Sequence, residues 1–228
     1  MINVLLAIIP GIFYVYLFYL LDKDRFIKDK YYLLVLFILG CIGSYVCYRL
    51  EWHFGSYFKE IKNSNYFEVF IYAICGVAIF EEGFKWFVTL FFILINKISK
   101  VFDIVLYSMI TSCGFMTFEN IVFYSIKYGL SATISRMFTS CPMHICCGFI
   151  MGYYLYKFRD NIGVKRIIYF ILSIVIPTLI HAFYNMWLYK SEIRYYEVSY
   201  IFLFILVFIS IRKCVILKRN EEWGEWEN

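Results

Sequence analysis

The chain has 228 residues, of which 62% are hydrophobic and only 17% charged, and its 22 Lys and Arg outweigh 17 Asp and Glu for a net charge of +5. Together with a mean hydropathy of +0.70, this balance excludes an ordinary soluble domain and points to a protein whose solvent is the bilayer, with no nucleic-acid partner expected. Phe (25) and Tyr (22) are abundant enough to supply lipid-facing packing and interfacial belts.

Taken in order, the chain gives seven apolar runs long enough to cross about 30 Å of hydrocarbon: 1–21, 31–50, 67–95, 101–125, 136–157, 166–189 and 197–217. The expected fold is all-α and polytopic, with about seven transmembrane helices. The first run has no Lys or Arg before Lys23, so it lacks the basic region of a cleavable signal peptide and reads as a retained span. The third run is long. It can tilt, extend beyond the bilayer or break near Gly83, but halves of about fifteen residues are each too short to span, so one helix is expected. No linker, charge block, low-complexity tract or repeat interrupts the chain, which reads as one membrane domain, 1–228. Its acidic tail, Glu221–Asn228, reads as a solvated or interfacial end.

Basic residues set the expected orientation. Lys23, Arg25, Lys28, Lys30, Lys97, Lys100, Lys157, Arg159, Lys165, Arg166 and the cluster Arg212–Arg219 fall on one side. Arg49, Lys59, Lys62, Lys127, Arg136, Lys190 and Arg194 fall on the other, a bias of about two to one that predicts an external N-terminus and a cytoplasmic C-terminus.

Against this background, a few polar residues stand inside apolar runs, where a charge costs at least ~2.5–3.5 kcal/mol. They are Glu81, Glu82 and Lys85; Phe115, Glu119 and Asn120; His144; and His181 with Asn185. Glu119 is eight residues before Lys127, His144 eight after Arg136 and His181 nine before Lys190. At 1.5 Å per residue all three lie roughly 12–14 Å below the outer surface. A common depth is what one site needs. Glu81 and Glu82 are expected at or somewhat below that level, so the core of the site spans about 67–189.

The spacing within each motif is informative. Glu81 and Glu82 are i,i+4 and i,i+3 neighbours of Lys85. A buried ion pair accounts for one acid and the lysine but leaves the second acid unpaired, and two adjacent carboxylates beside one cation suit a general acid and base. Glu119 and Asn120 can serve as interhelical glue or as site groups. Pro142 precedes His144, and Gly148 and Gly152 beyond it allow another helix to approach closely. Asn185 lies one turn beyond His181, and Pro177 one turn before it. His53, beside Trp52, reads as interfacial. The eight cysteines lack CxxC spacing and read as small buried hydrophobes.

Carboxylates and imidazoles suit two jobs equally. They activate water, directly or through a metal, with Asn or His donating to an oxyanion; or they relay protons or hold a cation in a transporter. A non-catalytic scaffold with a structural polar cluster is a third reading. No HExxH helix is present, so a metal site would be assembled from separate helices.

At these four motifs the sequence resembles the PrsW family of intramembrane proteases, related to the type II CAAX-prenyl endopeptidases. The shared pattern is Glu-Glu-x-x-Lys at Glu81, Glu82 and Lys85; Phe-x-x-x-Glu-Asn at Phe115, Glu119 and Asn120; a lone His at His144; and a final His-x-x-x-Asp/Asn at His181 and Asn185. The resemblance implies a multi-pass protease of a bacterial plasma membrane making the first cut in a single-pass, anti-sigma-factor-like substrate near the extracytoplasmic face. It further implies Glu81 and Glu82 acting on water, with Glu119, His144, His181 and Asn185 completing the catalytic set, Lys85 and Asn120 supporting, and zinc as the candidate cofactor with His144 and His181 as ligands. The amide at Asn185, where relatives can carry Asp, suits an oxyanion donor better than a metal ligand.

Overall fold

A computed structural model describes residues 2–55, 65–189 and 193–223. Among these, all regular structure is helical: α1 (Ile2–Leu21), α2 (Lys23–Lys28), α3 (Lys30–Gly55), α4 (Tyr66–Tyr72), α5 (Ile79–Ile95), α6 (Val101–Glu119), α7 (Gly129–Phe138), α8 (Ser140–Asp160), α9 (Gly163–Tyr189) and α10 (Ile193–Trp223). Two π-helical segments, Ala73–Ala78 and Asn120–Ser125, join α4 to α5 and extend α6. Lys59, Lys62, Lys190 and the tail beyond Trp223 lie outside the described residues.

Among the described residues, five stretches are long and apolar enough to cross a membrane: Asn3–Leu21, Lys30–His53, Val101–Val122, Gly163–Tyr189 and Glu197–Asn220. The other two expected spans are helical as well and carry Glu81, Glu82, Lys85 and His144. The third is a single rod over residues 66–95, with the π segment inside it and no break at Gly83. The fifth differs from expectation. Rather than one helix over 136–157, the chain forms the short α7, turns at Thr139 and restarts as α8. Pro142 therefore falls in the first turn of α8, where its missing N–H removes no helical bond.

The bundle is built around α6. Its span is 89% buried, against 17% for that of α10 and 22% for that of α1, which face outward with apolar side chains. Because lipid is as apolar as leucine, burial alone drives little association here; close packing and polar contacts hold the helices. A tight seam joins α6 to α8. A Cβ at Gly148 would stand 2.5 Å from Ser112 Oγ, and one at Gly152 would stand 2.7 Å from Val105 Cα. Only glycine admits that approach. All eight cysteines are free, six of them buried, as small apolar fillers should be.

Candidate active site

The acids of the third span reach the bundle interior through a change of helical phase. A π turn holds more residues than an α turn, and such segments recur at functional sites. The segment Ala73–Ala78 ends just before α5, whose first turn carries Glu81 and Glu82. The second π segment begins at Asn120, directly after Glu119. Both acidic motifs thus sit at an α–π junction.

Glu82 and Lys85 are fully buried and paired, Lys85 Nζ donating to Glu82 Oε1 at 2.6 Å. The lysine makes the i,i+3 choice, not the i,i+4 contact with Glu81. Its ammonium also lies 3.1 Å from His144 Nδ1 and 4.6 Å from the centre of the Phe115 ring, a cation–π contact that gives the aromatic of the second motif a role. Glu82 Oε1 takes a second contact, 2.8 Å from His181 Nδ1.

The hydrogen-bond pattern fixes the tautomers. An ammonium has only donors, so His144 Nδ1 accepts from Lys85 and Nε2 carries the proton, donated to Glu119 Oε2 at 3.0 Å. A carboxylate has only acceptors, so His181 donates Nδ1–H to Glu82 and leaves Nε2 as a lone pair. That lone pair lies 3.9 Å from Glu81 Oε2, a buried oxygen with no hydrogen-bond partner among the described residues. The two imidazole rings meet edge to face, 5.1 Å apart and at 89°.

The same Glu119 oxygen also meets Arg136, whose Nη2 is 2.7 Å away. Arg136 Nε in turn donates to Asn120 Oδ1 at 2.8 Å, and Asn120 Nδ2 reaches Cys141 Sγ at 3.0 Å. This corrects the reading of Arg136 as a surface charge: it is only 9% exposed and belongs to the polar cluster. Among Tyr128–His144 it is the sole fixed charge, a signal that the sequence held. Asn185 lines the same cavity as His181.

That cavity, about 330 Å³, is lined by Glu51, Glu81, Glu119, Arg136, His144, His181 and Asn185, among others. A second, of about 270 Å³, shares Glu51, Glu81 and Glu119 and is walled by Tyr48, Trp52, Tyr72, Tyr128 and Tyr189. Glu51 was not foreseen. It lies just past the expected end of the second span, yet Ser44, Tyr48 and Glu51 recur at helical spacing on one face of α3 and line one cavity. Its carboxylate lines both cavities together with that of Glu81. His53, expected at an interface, is exposed near the end of α3.

One set of groups suits a metal ion. Glu81, His144 and His181 each offer a ligand atom, all within 4.8 Å of one another and all buried. The bare Glu81 oxygen and the free Nε2 of His181, oriented by a carboxylate behind it, have the form of a carboxylate–histidine–metal arrangement. His144 would have to give up Lys85 or Glu119 to join them. By donor chemistry and proximity, the set fits a zinc-like ion.

A polytopic helical domain that buries carboxylates against imidazoles beside a cavity has the construction of an intramembrane protease. The family model for "PrsW family intramembrane metalloprotease" matches residues 28–211. The chain belongs to the PrsW family. It is 31% identical to the Protease PrsW of Oceanobacillus iheyensis over 168 residues, 73% of this chain and 74% of that protein. It is 27% identical to that of Clostridioides difficile over 96% of this chain and 90% of that protein. With the Bacillus subtilis protein it shares 27% identity over 78% of this chain and 79% of the other. No solved structure matches the chain.

Proposed function

We propose that this multi-pass membrane protease cleaves a single-pass membrane protein near the extracytoplasmic face, in the manner of a first cut on an anti-sigma factor. The observation that carries the chemistry is the convergence of Glu81, His144 and His181 from three helices on one cavity. The side of the membrane rests on the charge bias of the loops, and the substrate class on the family resemblance. A transporter is disfavoured by relatives that are all named as proteases.

In this reading the peptide carbonyl enters the cavity opposite the imidazoles. Glu82 fixes the His181 tautomer, and Lys85 with Glu119 fixes that of His144. Asn185 supplies an N–H donor at the cavity wall for the developing oxyanion, an interaction worth a few kcal/mol. Glu81, with an oxygen free of hydrogen bonds, takes the proton from water and returns it to the leaving amine. Glu51 lies on the same cavity. Glu81, His144 and His181 would hold a zinc ion, which when bound supplies Lewis-acid polarisation of water and carbonyl. With Glu81 engaged as a ligand, Glu119 and Glu51 would be the cavity carboxylates left for proton transfer.

The family description as a metalloprotease favours the metal-assisted form. The engagement of both His144 nitrogens favours direct glutamate catalysis. Metal analysis of purified protein, joined to cleavage of a reconstituted single-pass substrate without an ion gradient, separates them. About one equivalent of zinc, lost in His144→Ala and His181→Ala, marks the metal form; full turnover by metal-free protein marks the other. No cleavage of any single-pass substrate, with flux under a gradient instead, would overturn the protease assignment.

A further inference from the structure

Far from the catalytic cluster, at the opposite end of the bundle, lies a cavity of about 700 Å³ framed by the end of α8, the start of α9, the end of α10 and the turn before α6. Lys157 is thirteen residues beyond His144 on α8, so the two ends are separated by roughly 20 Å. Four lysines line it, Lys100, Lys157, Lys165 and Lys213, against one acid, Asp160. The fold places them there by design of the turn. Asn161 closes α8 by donating its side chain to Lys157 O at 2.9 Å, and Gly163, at φ +60, reverses the chain into α9 so that Lys157 and Lys165 face one opening. Tyr153, Tyr156 and Tyr169 add hydroxyl groups to the same wall.

We propose that this cavity binds the phosphodiester headgroup of an anionic phospholipid. Excess ammonium groups with hydroxyl donors suit a phosphate, and basic pockets between transmembrane helices hold such headgroups. The surface beside the opening favours a lipid over a soluble phosphate. Ile167, Ile168 and Ile171 on α9, and Phe208, Ile211 and Val215 on α10, are each close to half exposed or more, and offer an apolar track for acyl chains beside the headgroup. A soluble phosphate has no use for that track.

The test uses the full chain in nanodiscs of phosphatidylcholine containing a minority of phosphatidylglycerol, with retained lipid counted by native mass spectrometry. A Lys157→Gln/Lys165→Gln/Lys213→Gln variant is expected to lose phosphatidylglycerol retention by about tenfold. The Lys→Arg triple at the same positions keeps it. The control Lys23→Gln/Lys28→Gln/Lys30→Gln removes equal charge around α2, outside the cavity, and leaves retention unchanged. Equal loss in both Gln triples would reduce the effect to general surface charge and overturn the site, as would no loss in either. Displacement of the lipid by millimolar inorganic phosphate would assign the cavity to a soluble anion and overturn the lipid. Thermal melts that match wild type exclude misfolding as the cause, and the Arg triple reads the site independently.

Discussion

Lys85 Nζ stands 2.6 Å from Glu82 Oε1 with both side chains at zero exposure, so neither charge has any recourse to solvent. Removing one partner leaves the other bare, at a cost of about 3–5 kcal/mol. Lys85→Met is expected to lower the melting temperature in detergent sharply, and the double variant Lys85→Met/Glu82→Gln to recover part of the loss. A double variant no more stable than the single one would show that the pair does not act as a unit.

The two adjacent acids should fail differently when made into amides. Glu81→Gln removes the carboxylate facing the cavity and is expected to cut turnover by about 10²–10⁴-fold with little change in stability. Glu82→Gln disturbs the orientation of His181 from behind, expected at about 10–100-fold, and also weakens the fold by unpairing Lys85. Turnover and melting curves measured together separate the roles; near-normal turnover in Glu81→Gln would remove it as the base.

Arg136 tests whether Glu119 is positioned or merely buried. Arg136→Ala strips Glu119 of its cation at 2.7 Å and frees Asn120, so both stability and turnover should fall. Arg136→Lys keeps the charge but cannot reach both partners as a planar fork does. It should restore stability more than turnover. Equal recovery of both would make the arginine purely structural.

At the other end of the molecule, Asp22 joins the α1–α2 corner to α10 through Lys218 and accepts the backbone N–H of Arg25 at 3.1 Å. Partial burial pushes its carboxyl upward, but these hydrogen bonds and the nearby charges prevail and hold it below the usual carboxylate range. A depressed folded value means stability that is present above the ordinary carboxylate pKa and lost as pH falls through the folded one. Wild-type melting temperature should therefore decline on acidification below about pH 4, and Asp22→Asn should remove part of that dependence.

The loop charges predict topology. Reporter fusions at residues 28, 98, 162 and 228 are expected on the cytoplasmic side and one at residue 60 outside. An external C-terminus would move the cavity towards the inner leaflet.

The helices and the four motifs were legible because each depends on local pattern: apolar length for the spans, and i,i+3 or i,i+4 spacing for the polar groups. Which acid Lys85 would choose was not, since both spacings place a carboxylate on its face and only the packing around the pair decides. Arg136 was misjudged because a basic residue flanking an apolar run ordinarily marks the water boundary; here the chain folds α7 inward at that point. Glu51 escaped for the same reason, as a charge just past the end of a span. Its polar stripe with Ser44 and Tyr48 was visible in the sequence, but only the fold shows what the stripe faces.

The π segment at Ala73–Ala78 gives the rod over 66–95 two angular settings, one for α4 and one for α5. On the α5 side the setting is locked by Glu82, Lys85 and His181; on the other, the Tyr72 ring packs at a tilt against Tyr189 of α9. Winding the same residues as a continuous α spiral, without the wider π turns that absorb an extra residue, would turn α4 by about 100° relative to α5. Both ends of the rod pack on α9, so one of them would have to let go. The extra residue is thus a phase coupling, letting a single helix answer to two neighbouring stations on the same partner.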